Sequence, residues 1–164
     1  MTVRRLLLRL AMSRPGAWFF SYLLHHLDCL VLRLSGGRAT LSGPLSGLPV
    51  ATLTATGAKS GRPRSVPLVA IPDGERMVLV ATNWGSERHP AWYYNLRAHP
   101  EAALTVGGET RPYVAREVSG EAYTRYWRRA TAVYPGYAAY KRRRPARHMP
   151  IMVLTPLPKM GEDA

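Results

Sequence analysis

The chain has 164 residues, 46% of them apolar, which is one domain's worth and enough to bury a real core. Twenty-three Lys and Arg against ten Asp and Glu leave a net charge of +13, so the expected partner is anionic: nucleic acid, an acidic membrane surface or a polyanionic ligand. A single cysteine, Cys29, excludes an internal disulfide and fits a reducing, cytoplasmic setting.

The chain opens with "VRRLLLRLAM" and "AWFFSYLLHHLDCLVLRL", two helical segments separated near Pro15 and Gly16. Arg9 interrupts the first, and His25, His26 and Asp28 interrupt the second, so neither reads as a signal peptide or a membrane span. Their Leu, Trp and Phe among Arg4, Arg5, Arg9, Arg14 and Arg33 suit a helix lying on an anionic bilayer, or equally a cover over the core. Adjacent His25 and His26 lack the i, i+4 spacing of paired ligands and have no Cys or carboxylate cluster beside them, so no metal site is expected. This gives an N-terminal helical segment over 1–34 and a main domain over 35–164.

From Leu48 the pattern changes to short β segments. "LPVATLTAT" predicts one strand, "RSVPLVAI" a second, and the turn "PDG" leads into "RMVLVAT" as the returning strand. A short helix is expected over "HPAWYYNLRAHP", with Pro90 in its first turn and Pro100 blocking its continuation. "EAALTV", "GGE" and "TRPYVAREV" predict a hairpin. Ser119 is the expected cap of a helix through "EAYTRYWRRATAVY", and "MPIMVLTPL" closes as a strand. About six short strands without βαβ alternation predict a mainly β (α+β) protein, an antiparallel barrel or sandwich with short flanking helices.

Chemistry is suggested in three stretches. The basic stretch "TATGAKSGRPRSVPL" cannot be a P-loop, because Ala58 precedes Lys59 and Leu53 stands where the first glycine belongs. It is either a solvated hairpin turn or an anion cradle. The stretch "ATNWGSERHPAWYYNLRAHP" puts a glycine-bearing loop before a helix start, where backbone N–H groups can meet an anion or a polar ring edge. "YPGYAAY" places Tyr134, Tyr137 and Tyr140 at steps of three, which predicts one aromatic wall, either core packing or the side of a pocket for a flat ligand. No paired carboxylates or nucleophile–base set appears, so hydrolytic chemistry is not expected.

Together these three blocks, in this order over roughly 50–155, resemble the deazaflavin-dependent nitroreductase family, which uses coenzyme F420. The resemblance implies a split β-barrel of the flavin-reductase type with the cofactor in a groove beside it. It implies that Lys59, Ser60 and Arg64 hold the cofactor's phosphate and oligoglutamate tail. Pro67 and Leu68 would flank the ring system, Ala81, Thr82 and Asn83 would line it, and Ala91, Trp92, Tyr93 and Asn95 would touch it from the helix start. Tyr137 matches the family's cofactor-contacting tyrosine, and Tyr134 and Tyr140 would line the substrate side together with Val69. Val69 and Asn83 depart from the nitroreductase's own tyrosine and lysine, which bears on substrate choice more than on binding. The implied reaction is hydride transfer from reduced F420 to an electrophile such as a quinone or nitro compound, with Tyr134, Tyr137 or Thr82 orienting the acceptor or relaying a proton. A quinone acceptor would suit an N-terminal segment on the inner face of the cell membrane. Two other readings stay open: a split barrel binding flavin mononucleotide, haem or lipid, and a nucleic-acid binder using "KRRRPAR" at 141–147, although the tyrosines form no RNP or zinc-finger pattern.

Overall fold

The computed structural model describes residues 47–158; the N-terminal segment 1–34, with Cys29, His25 and His26, lies outside them, as does the proposed boundary at 34/35. The described strands are β1 (Val50–Thr56), β2 (Pro63–Val69), β3 (Ile71–Asp73), β4 (Arg76–Val80), β5 (Glu101–Val106), β6 (Glu109–Glu117) and β7 (Ile151–Pro156). The α-helices are α1 (Ala91–Ala98), α2 (Gly120–Val133) and α3 (Gly136–Arg143). All strands join one antiparallel sheet in the order β2-β1-β5-β6-β7-β4-β3.

That order explains why the architecture is a barrel. The first and last strands, β2 and β3, are successive pieces of chain separated only by Ala70. The chain therefore passes from one edge of the sheet to the other in a single residue, which is possible only if the sheet curls until its edges meet. Ala70 is buried at this corner, and its N–H donates to the Pro49 carbonyl at 2.8 Å. One of the expected strands is thus two: "RSVPLVAI" pairs with β1 up to Val69 and with β4 from Ile71 onward, giving seven strands where about six were expected.

The other elements form for local reasons. Val106 faces Glu109 across the Gly107–Gly108 turn, where φ values of 58° and 89° give the primed geometry that matches strand twist and that only glycine adopts freely. Pro90, expected in the first turn of α1, is instead its extended N-cap, with Ala91 the first helical residue. Ser119 does stand at the N-cap of α2, but its hydroxyl makes no capping bond, and Glu121 lies in the first turn. α2 is held instead by its side chains: Tyr126 donates to the Asp73 carboxylate at 3.0 Å, and Arg129 donates to the Pro72 carbonyl at the β3–β4 hairpin.

Both faces of the sheet are used. Ala51, Leu53, Ala55, Leu79, Leu104, Ala115, Met152 and Leu154 form one buried cluster, which α1 joins through Tyr93 and Leu96. Ile71, Val78, Val80, Ile151 and Val153 form the second, under α2 and α3. β4 and β7 contribute alternate residues to each cluster, which explains why β7 reads as an unbroken apolar run.

Candidate functional site

The basic stretch is the β1–β2 turn. Thr56 and Pro63 are the last paired residues, and the loop between them is closed by the Gly57 N–H donating to the Arg62 carbonyl at 2.9 Å and the Gly61 N–H donating to the Gly57 carbonyl at 2.8 Å. Ser60 Oγ accepts the Arg62 N–H at 3.3 Å, so Ser60 is partly committed to the turn itself. The Asn95 side chain accepts the Ala58 N–H at 3.0 Å, which pins α1 to this turn and brings two of the sequence blocks together. Lys59, Arg62 and Arg64 are exposed and pair with no carboxylate among the described residues, whereas Arg111, Arg129 and Arg144 each do. The hairpin turn thus gathers three cations that no described carboxylate neutralises, which concentrates positive potential there.

Beyond β4, Ala81 and Thr82 are buried, and the chain enters a short 3-10 turn, Asn83–Gly85. Asn83 and Trp84 hold φ of 48° and 55°, the left-handed region that non-glycine residues rarely adopt. The Asn83 amide donates to the Arg88 carbonyl at 3.0 Å. On α1, Ala91 is exposed and Trp92 half-buried, while Tyr93 turns inward, its hydroxyl donating to Glu117 at 3.0 Å. Burial, then the Glu117 carboxylate, raises the Tyr93 pKa. Tyr93, expected among the cofactor contacts at 91–95, is thus buried in the first core cluster. Pro67, Leu68 and Val69 are half-buried on the edge strand, with Leu68 packed on the first cluster and Val69 on the second.

The tyrosines form a packed corner instead of an open wall. Tyr134 ends α2, Pro135 starts a new helix, and Tyr137 and Tyr140 lie on α3. The three rings meet edge-to-face at centroid distances of 5.1, 6.0 and 6.5 Å, and all are buried in the second cluster. The Tyr134 and Tyr140 hydroxyls hydrogen-bond each other at 2.8 Å, which answers the cost of burying them. Burial raises the pKa of all three, most for Tyr140 and Tyr137. Tyr134 and Tyr140, expected to line the substrate side, are thus buried and bonded to each other. Tyr137 and Thr82 differ, because neither hydroxyl has a hydrogen bond among the described residues.

Sequence reasoning missed Arg147. Its guanidinium donates to the carbonyls of Ala81 at 2.9 Å, Thr82 at 2.7 Å and Ser86, and lies 3.1 Å from His89 Nδ1. No local signal separates it from the other arginines of the run at 141–147.

A curled antiparallel sheet whose edges meet at Ala70, with helices packed on both faces, defines a protein of the split-barrel class. The model of the F420H(2)-dependent quinone reductase family matches residues 29–156, and the chain belongs to that family, whose cofactor is coenzyme F420. An F420H(2)-dependent quinone reductase of Mycobacterium tuberculosis strain H37Rv is 30% identical over 142 residues, covering 82% of this chain and 95% of the relative. Among solved structures, an F420-H2 dependent reductase superposes with a TM-score of 0.60 at 36% identity, over 65% of this chain and 93% of its own. A second, described as a domain-swapped dimer, gives 0.62 at 29% identity, over 85% and 98%. No described helix is long and apolar enough to cross a membrane.

Proposed function

We propose that the protein reduces a quinone with F420H2, and that the β1–β2 turn is where the cofactor's anionic end is held. The carrying observation is the trio Lys59, Arg62 and Arg64, exposed and without carboxylate partners among the described residues, on a turn tied to α1 through Asn95. Lys59 and Arg64, with the Ser60 hydroxyl, offer charge-assisted hydrogen bonds to a phosphate or carboxylate tail. These cations exceed what a single phosphate needs, which favours the tailed deazaflavin over flavin mononucleotide. Pro67, Leu68, Ala81, Thr82, Asn83, Ala91 and Trp92 would form the apolar and backbone surface for the ring. Bound F420H2 supplies a hydride; the chain orients the acceptor and excludes water.

The proton work falls to Tyr137 and Thr82, whose hydroxyls are uncommitted, while the bonded pair Tyr134 and Tyr140 fixes the Tyr137 ring. A phenol is protonated at neutral pH and can donate a hydrogen bond to an acceptor's oxygen. Anaerobic oxidation of F420H2 with a naphthoquinone, beside a bicyclic nitro compound, tests the reading. Quinone turnover well above nitro turnover is expected, in keeping with Val69 and Asn83. F420 binding without quinone turnover would falsify the acceptor assignment.

A membrane-dissolved acceptor favours attachment to the inner face of the cell membrane, through the basic segment 1–34 and the exposed Arg125, Arg128 and Arg142. Co-sedimentation with anionic vesicles but not neutral ones is the expected result. Equal recovery with both would remove this part of the reading, and capture by RNA or DNA in its place would favour the nucleic-acid alternative.

A further inference from the structure

The segment from the end of β4 to the start of α1 is gripped at four points by one side chain, with the Arg144–Glu87 ion pair at 3.0 Å as a further tie. Arg147 lies between α3 and β7, far along the chain from the residues it contacts. Through Nη1 it donates to the carbonyls of Thr82 at 2.7 Å and Ser86, and through Nη2 to that of Ala81 at 2.9 Å, with Nη2 also 3.1 Å from His89 Nδ1. All four partners belong to the stretch 81–89, and the grip spans the left-handed residues Asn83 and Trp84.

Left-handed backbone costs an ordinary residue roughly 1–2 kcal/mol, and Trp84 has no short polar side chain to offset it. Such a turn persists only where its surroundings over-determine it. Two things here do so. The next residue, Gly85, is crowded, since a Cβ there would lie 3.3 Å from both the Tyr140 side chain and the Arg143 guanidinium. The fork of Arg147 then fixes carbonyls on both sides of the turn. Its Nε is buried without a hydrogen bond, so the side chain accepts an unmet donor to hold this position. No carboxylate pairs with Arg147 among the described residues; its charge is met by three backbone carbonyls and the His89 imidazole.

We propose that Arg147 is a positioning residue for the cofactor: its fork sets the Ala81–Thr82 backbone and the Asn83–Trp84 turn in the shape that receives the deazaflavin ring, without touching the ring itself. This rests on the F420 reading of the site. A lysine would keep the charge but carries one nitrogen, which cannot span three carbonyls and an imidazole. If the loop then spends about a tenth of its time in the competent shape, the apparent dissociation constant rises about tenfold.

The test compares wild type, Arg147→Lys and Arg147→Ala by F420 fluorescence titration, steady-state kinetics and hydrogen exchange. The expected result for Arg147→Lys is an F420 dissociation constant about tenfold higher, with the KM for F420H2 rising more than kcat falls. Exchange should quicken in 81–89 while β5 and β6 keep their protection. Millimolar guanidinium should restore part of the affinity of Arg147→Ala. An unchanged dissociation constant despite faster exchange in 81–89 would overturn the proposal, because the loop would then be loose without consequence for the cofactor. So would faster exchange across the whole sheet with no guanidinium rescue, which marks a general structural role. Failure of the F420 reading shows separately, as wild-type protein that does not bind F420.

Discussion

The β1–β2 turn and the corner formed by α3 with the loop after it are both crowded with Arg, Lys and hydroxyl groups, yet they use them in opposite ways. At the turn, Lys59, Arg62 and Arg64 stand exposed with no carboxylate partner among the described residues. At the corner, Arg147 is spent on backbone carbonyls, the Lys141 ammonium donates to the Arg147 carbonyl at 2.6 Å, and the Tyr134 and Tyr140 hydroxyls bond each other. The chain completes the corner by itself and leaves the turn incomplete. Apart from Arg147 and Tyr137, which the proposals above tie to the cofactor and the acceptor, substitutions at the corner should therefore register mainly in stability, and those at the turn mainly in ligand affinity.

The sharpest break of this division on the stability side is Gly136→Ala. A Cβ on Gly136 would fall within 2.5 Å of the Tyr134 hydroxyl oxygen and onto its ring. That ring is buried and bonded, so it has nowhere cheap to go, and the overpacking should cost about 3 kcal/mol. Denaturant unfolding measures it, with F420 affinity of the folded fraction retained. A cost below a few tenths of a kcal/mol would show the corner to be soft.

The matching change at the turn is Lys59→Ala with Arg64→Ala. Loss of two exposed, charge-assisted contacts should weaken F420 binding about thirtyfold at low salt, less at high salt, with the melting temperature unmoved. If affinity held while stability dropped, the two regions would have exchanged roles and the turn would not be the cradle.

This division also marks what could be read from the sequence. The hairpins, α1, α2 and β7 were legible because their signals are local: Gly107–Gly108, Pro90 and Pro100, and the apolar run at 149–157. The turn at 57–64 was legible as basic and as a hairpin turn, and the hairpin is what the structure shows. The switch at Ala70 was not, since the apolar run passes straight through it and only the partner strand changes. Tyr134, Tyr137 and Tyr140 were legible as aromatic spacing, but the spacing could not show that Pro135 splits them between two helices or that two hydroxyls satisfy each other. Arg147 was hidden for the same reason: its partners lie about sixty residues away.

A smaller test within the corner uses Tyr140→Phe, which removes the hydrogen-bond partner of Tyr134. A buried hydroxyl left without its partner costs about 1–2 kcal/mol, and adding Tyr134→Phe should return part of that loss. A double variant less stable than Tyr140→Phe would mean that the pair is not the unit it appears in the structure.

The smallest effect concerns His89, which links Arg147 to the start of α1. Burial first, then the charges of Arg147 and His148, lower its pKa below the ordinary 6.5, against weaker opposition from the Ala81 backbone and Glu117. The neutral ring accepts from Arg147, while the protonated ring would face that cation with a second charge. The folded pKa is the depressed one, so the His89 contribution to stability is complete above 6.5 and is lost as pH falls through the lower folded value. Carboxylates titrate in the same range, so the quantity to follow is the difference in melting temperature between wild type and His89→Asn. That difference should shrink from pH 7.5 to pH 5 as wild type alone loses the neutral ring. A constant difference would mean that Arg147 holds the loop through the carbonyls alone, leaving the imidazole outside the clamp.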